Sequence, residues 1–365
     1  MVSLDPEGLE RFVVDVCTAL GAPAAAAEAV GHSLVAADLR GHGSHGVMRV
    51  PNYVERARSG DIDPEATPEV QERSPSAVHV DGHCAFGQYV GRVATEELID
   101  RAAGGVAVAG VRNATHLGRL GEWAERAAAE GLLFFGLASG SVAVVAPAGS
   151  TERRFSTNPM AFGVPTFDAL EFPIVLDMAT SQTAYGKIRE RVRTGDPAAD
   201  GWTVSASGDP VRDAEAFQAG EGALRPLGGT VAGHKGYGMA LIVELFAAFA
   251  GDAGVISQDS RSGGNAATFV AIDPLAFSSE GSLRERLASL AAYLGTFESA
   301  PDVPTGVAAA DGVGLFPGEP EHGTALERTE TGIPLDEGVA ATLVDTARDL
   351  DLLDSLPEGL GDADS

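Results

Sequence analysis

The sequence predicts a mixed α/β or α+β fold, and three observations lead there. Two helical patterns fill the first forty residues, short β-like runs alternate with helices from about residue 76, and one more helical pattern lies near 339–353. The chain has 365 residues, 44% of them hydrophobic and 21% charged, an ordinary globular mixture with room for two or three domains.

The elements follow from local chemistry. Asp5-Pro6 caps a first helix whose apolar face is Leu9, Phe12, Val13, Val16 and Leu20, and Gly21 and Pro23 end it. An Ala-rich helix spans 24–39 and stops before Gly41. After the polar run Gly41-His42-Gly43-Ser44-His45-Gly46 a short helix is expected over 47–57, closed by Ser59-Gly60, with Pro51 tolerable in its first turn. Strands are expected at 77–80, 106–111, 132–138, 160–164, 173–177 and 267–272, and helices at 92–103, 118–129, 235–250 and 283–294. Residues 190–230, rich in Gly, Asp and Pro, read as surface excursions. The 235–250 helix is apolar nearly all round, which predicts burial, with Glu244 as an interior charge that needs a partner. The expected division is a helical part, 1–75, joined by a C-terminal segment, 325–356; an α/β part, 76–324; and a frayed acidic tail, 357–365.

Charge narrows the partners. With 25 basic and 52 acidic residues the net charge is −27, which leaves no sequence-independent hold on nucleic-acid phosphates and repels anionic lipid. Only Lys187 and Lys235 are lysines; the other 23 basic residues are arginines, a bias that fits a GC-rich source and a high-salt one equally. A lysine kept in that background invites a functional role. Cys17 and Cys84 form no C-x-x-C pair and read as buried thiols. Without a signal-like start or a spanning apolar run, the expectation is a soluble cytoplasmic protein.

Candidate chemistry gathers in short motifs. Gly41 to Gly46 matches G-x-G-x-x-G, but a pyrophosphate cradle needs a strand before it and here a helix precedes. His42 and His45 lack a visible third ligand, so no metal is expected. An acid/base reading suits the region better. Ser44 and His45 stand at a helix start, and Arg49 and Tyr53 share one helical face; Arg clamps a carboxylate while His exchanges a proton. A polar helix start with a surface arginine is the plainer alternative. His116, in Asn113-Ala114-Thr115-His116-Leu117-Gly118, lies between a strand and a helix, where the helix dipole favours its neutral form. Asp177 ends a strand before Thr180 and Ser181, Lys235 and its neighbouring glycines open a helix suited to an anion, and Phe316-Pro317-Gly318-Glu319 is a turn.

Taken in order, these motifs resemble the malate/L-lactate/ureidoglycolate dehydrogenases that lack a Rossmann fold, the type-2 malate/lactate dehydrogenases. The matching stretches are 38–53, Asp81-Gly82 with Gly87, His116-Leu117-Gly118, Thr157-Asn158-Pro159, Asp177 to Ser181, His234-Lys235-Gly236-Tyr237-Gly238 and Pro317-Gly318-Glu319. The likeness covers roughly residues 5–350. It implies an NAD- or NADP-dependent oxidoreductase on a small 2-hydroxy or 2-oxo acid of malate, lactate, sulfolactate or ureidoglycolate type. It also implies a homodimer and a nucleotide held on a largely antiparallel, non-Rossmann sheet. By the same likeness His45 or His116 moves the proton, and Asp177 pairs with His45. Arg49 clamps the carboxylate, with Ser44, Tyr53, Gly140 and Ser141 as substrate neighbours. Leu176, Asp177, Met178, Ala179, Thr180, Ser181, Gln182, Lys187, His234, Lys235, Pro317, Gly318 and Glu319 are the implied nucleotide contacts.

Three departures from the family pattern stand out. Ser139-Gly140-Ser141 replaces Thr-Asn-Ser, Ser156 replaces a glycine, and Asn265-Ala266-Ala267 replaces the usual Gly-His-Phe region. A missing Asn side chain at position 140 removes a substrate contact. Cyclic imine reduction is the nearest rival; a metal-dependent hydrolase or lyase using His42 and His45, and a silent binding protein, are more distant ones.

Overall fold

The computed structural model describes residues 2–258, 264–296 and 316–360. Its first half runs β1 (Val2–Leu4), α1 (Pro6–Ala19), α2 (Ala24–Leu39), α3 (Val50–Ser59), β2 (Glu69–Ser74), β3 (Ala77–Asp81), α4 (Gly87–Ala102), β4 (Val106–Ala114), α5 (Leu120–Ala129) and β5 (Leu133–Gly140). Then come β6 (Met160–Val164), β7 (Ile174–Met178), α6 (Tyr185–Thr194), β8 (Thr203–Val204), α7 (Ala214–Gln218) and β9 (Ala223–Leu224). The last are α8 (Gly229–Gly251), β10 (Asn265–Ile272), α9 (Glu280–Leu294), α10 (Glu319–Thr331), β11 (Ile333–Leu335) and α11 (Glu337–Asp349).

A seven-stranded sheet, ordered β2-β3-β4-β10-β5-β6-β7, carries the α/β part. Only β3 and β4 pair in parallel; its other neighbours are antiparallel. Strand alternation sorts the two faces. Phe134 and Ala138 of β5 join the core of Val90 and Leu98 from α4 and Trp123 from α5, whereas Leu137 meets Val243 of α8 on the opposite side. Helix α8 can lie this close because β4 offers Gly110, where a Cβ would overlap the Ala250 carbonyl.

The helical lobe has its own core. Leu9, Phe12 and Val16 of α1, Leu34 of α2, Val54 of α3 and Leu343 of α11 pack together, and β1 pairs with β11 beside them. The Asp5 cap forms as its motif predicts, Oδ2 accepting from Gly8 N at 2.7 Å, and Pro51 sits in the first turn of α3. Leu360, within the stretch expected to be a frayed tail, is buried in this lobe, and residues 361–365 lie outside those described.

Two expectations need correction. Residues 190–230 are not mere excursions, because α6, α7 and the β8–β9 pair surround a small core of Ile188, Phe217 and Leu224. Nor is α8 buried all round: Ile242 is 51% exposed, Phe246 46% and Phe249 78%. Glu244 does face inward, but its partners are neutral, Asn158 Nδ2 at 2.9 Å and the Ile256 amide at 2.6 Å. Among the described residues no helix is long and apolar enough to cross a membrane.

Candidate active site

The loop from α2 to α3 is held from beneath by Asp38, a buried residue on the last turn of α2. Its Oδ2 accepts from Val47 N at 2.7 Å, and a Cβ on Gly46 would overlap the carboxylate. Arg328 of α10 donates to the Asp38 carbonyl. Burial pushes the Asp38 carboxyl up to about 7, against the pull of the Val47 amide and Arg328. This clamp fixes the tight turns Gly43–His45 and Val47–Arg49, and with them three candidate side chains. Sequence reasoning gave Asp38 no role; its only signals were its place at the head of the matching stretch 38–53 and an acid at the end of an Ala-rich helix.

His45 stacks on His116, ring centroids 5.4 Å apart and planes inclined by 22°. His45 Nδ1 lies 3.1 Å from Ser44 Oγ. His116 hangs between β4 and α5, its following residue Leu117 donating its amide to Asn265 Oδ1 at 3.1 Å. Tyr53 Oη sits 2.7 Å from His116 Nδ1 and accepts from Gln88 Nε2 at 2.6 Å. The phenol oxygen has two lone pairs, so it can accept from Gln88 Nε2 and from His116 Nδ1–H together, the tautomer that leaves Nε2 unprotonated. Burial raises the Tyr53 hydroxyl to about 12, so it remains protonated at neutral pH.

Both imidazoles are held neutral. Burial, followed by the charge of Arg49, lowers His45 to about 3 and takes His116 well below its ordinary value. Arg49 spends its Nε on the Ser44 carbonyl at 2.6 Å. Its two terminal nitrogens have no hydrogen-bond or ion-pair partner among the described residues, although the chain has 52 acidic residues. Burial lowers the Arg49 pKa, the largest influence on it.

His45, Arg49 and His116 line one cavity of about 190 Å³ with Gly140, Ser156, Thr157, Tyr185 and Asn265. Tyr53 reaches it through His116, while Ser141 lines a neighbouring cavity with Arg56 and Arg112. The expected Asp177–His45 pair is not made. Asp177 Oδ2 accepts from Gly121 N at 2.7 Å, and Arg119 and His42 are the positive charges acting on it; burial raises its pKa. The register of β7 against β6 turns Asp177 toward α5, which a strand-end carboxylate in sequence does not reveal. His42 and His45 also part company, His42 Nε2 lying 3.3 Å from Glu321 of α10. Among the described residues no three His, Cys, Asp or Glu side chains gather as metal ligands.

The stretch expected to meet nucleotide runs from β7 to the start of α8. Leu176 is exposed and Met178 partly so, and beside β7 Val175 N donates to the Pro317 carbonyl at 2.9 Å. Gly318 adopts φ +92° there, and Glu319 Oε2 accepts from Phe316 N at 2.9 Å. Ala179 continues the stretch, and the Thr180 amide and hydroxyl both donate to the carbonyl of Thr157, a residue of the cavity wall. Ser181 Oγ donates to the Thr183 carbonyl, and Gln182 Oε1 accepts from Gly228 N at the head of α8. His234 and Lys235 stand exposed on the first turns of α8, and His234 lines a cavity of about 350 Å³ with Arg225. Lys187 is exposed on α6 and pairs with Glu190 at 3.3 Å.

Known proteins share this architecture. A family model described as malate/L-lactate dehydrogenase matches residues 4–344. Hydroxycarboxylate dehydrogenase B of Escherichia coli O157:H7 is 31% identical over 358 residues, 95% of this chain and 94% of its own length. A Δ1-pyrroline-2-carboxylate/Δ1-piperideine-2-carboxylate reductase of Pseudomonas putida is 38% identical over 229 residues, 62% of this chain and 65% of its own. The crystal structure of malate dehydrogenase from Entamoeba histolytica superposes with a TM-score of 0.88 at 25% identity, covering 96% of this chain and 98% of that one.

Proposed function

This chain belongs to the malate/L-lactate dehydrogenase family, and on that premise we propose that it is a nicotinamide-dependent oxidoreductase interconverting small 2-hydroxy and 2-oxo acids. The observation that carries the reading is the unpaired Arg49 fork beside two stacked neutral imidazoles in one cavity. A planar guanidinium with both terminal nitrogens free suits a carboxylate, bound in two parallel hydrogen bonds. It orients C2, with its oxygen, toward the histidines.

We assign the proton to His116 Nε2. Tyr53 fixes the ring by its Nδ1 contact, and Gln88 holds the phenol in turn. The low histidine values supply the neutral base that alcohol oxidation needs. A carboxylate on Arg49 offsets the charge that, after burial, depresses both imidazoles. His45 then backs His116, with Ser44 on its own Nδ1.

The residues present fit a dinucleotide. The exposed Leu176 and the Gly318 turn against β7 offer a surface for a ring, and on the first turns of α8 Lys235 offers positive charge for phosphates, with His234 beside it. Such a cofactor, NAD or NADP, supplies or accepts the hydride at C2. Thr180 ties this stretch to Thr157 in the cavity wall.

Purified protein with NADH or NADPH should reduce at least one of pyruvate, oxaloacetate, sulfopyruvate and phenylpyruvate. His116→Ala should lower kcat by about 10²-fold or more, the usual weight of a general acid/base; if only His45→Ala does so, the roles are reversed. The Pseudomonas relative favours a second reading, reduction of a cyclic imine beside a carboxylate, which imines in the same panel decide. We further propose a cytoplasmic homodimer; the dimer is supported by the outward apolar face of α8 and by α9, none of whose residues is buried.

A further inference from the structure

We propose that Ser156 determines substrate specificity by donating its hydroxyl to a hydrogen-bond acceptor on C3 of the substrate, a role that rests on the 2-hydroxy-acid reading above. Three observations place it there. Ser156 lines the same cavity as His45, Arg49 and His116. A Cβ at residue 140 would overlap Ser156 Oγ and come within 3.0 Å of its Cβ, so this hydroxyl fills the space a side chain on the end of β5 would take. The hydroxyl has no hydrogen-bond partner among the described residues, whereas the amide beside it is engaged: Asn265 Nδ2 donates to Ser139 O at 2.8 Å and its Oδ1 accepts from Leu117 N.

The chemistry then divides by position. The carboxylate takes Arg49 and the C2 oxygen takes an imidazole, which leaves the C3 substituent for the rest of the wall. Leu120, Val142, Val144 and Pro159 make much of that wall apolar, so a free hydroxyl there is a specific donor. A polar substituent that meets Ser156 recovers the bond it loses with water; one that meets only aliphatic wall does not. The preferred class is a 2-oxo acid with a hydroxyl, carboxylate or sulfonate on C3, in preference to pyruvate.

The test is the ratio of kcat/KM for the best of 3-hydroxypyruvate, oxaloacetate and sulfopyruvate to that for pyruvate, with the reduced nucleotide that supports turnover. Wild type should favour the substituted acid, and Ser156→Ala should lower the ratio at least about fivefold, the weight of one neutral hydrogen bond. Gly140→Ala keeps the hydroxyl but forces it from its place and should lower the ratio as well. A preference for pyruvate in the wild type, or a smaller drop in Ser156→Ala, overturns the proposal, because a purely structural role slows both substrates alike. Turnover of none of the four acids would instead count against the oxidoreductase reading.

Discussion

Tyr53 meets His116, which lies 63 positions later in the sequence, and its hydroxyl is the group that fixes the ring. Tyr53→Phe keeps the packing and removes that hydrogen-bond partner. It should lower kcat by about 10- to 100-fold while KM for the 2-oxo acid changes little, because Arg49 is untouched; equal losses in both would mean that the phenol shapes the pocket instead. Asp38 makes a different forecast. Its raised value of about 7 means that the folded chain keeps a proton that the unfolded chain, near 3.8, has lost. The group therefore favours folding fully below that lower value, and the contribution fades as pH rises through about 7. Asp38→Asn keeps a neutral acceptor for the Val47 amide, so its Tm relative to wild type should climb between about pH 4 and pH 8. A constant Tm difference would mean that the carboxyl is charged throughout. His45, Arg49 and His116 were legible because helix starts and i, i+4 spacing expose them in sequence. Asp38 was not, since nothing local says what a carboxylate at the end of a helix will sit beneath.

Helix α8 shows where element-level reading stopped. An all-round apolar pattern predicts burial but cannot say which molecule does the covering. Its inner side meets β4, β5 and β10, and its outer side leaves Phe249 open. Phe249→Glu should yield a folded monomer, with light scattering reporting half the wild-type mass and circular dichroism unchanged. An unaltered mass would move the dimer contact to another surface. The six sheet strands at 77–80, 106–111, 132–138, 160–164, 173–177 and 267–272 were readable because buried β-branched and aromatic runs are long enough to show a pattern. By contrast β8 and β9, two residues each, exist only through tertiary pairing, with one another and, for Leu224, with Val145.

At the scale of the whole molecule, a net charge of −27 sets the solvent dependence. Repulsion among surface carboxylates is screened within about 10 Å at 0.1 M salt and far more tightly at 1 M. Raising NaCl over roughly that range should increase Tm; a flat or falling Tm would show that ion pairs such as Arg112–Asp81 and Arg101–Glu72 outweigh the repulsion.

By itself the sequence determined the mixed α/β class, the helical start, the family resemblance and the imidazole–guanidinium motif, since each is written in residues a few positions apart. Tertiary structure alone decided that Asp177 turns to Gly121 and not to His45, that Tyr53 holds the second histidine, and that Ser156 stands in the place of a side chain at 140. Those outcomes depend on sheet register and on helix approach across distant segments, where a shift of one residue reverses the face a side chain presents.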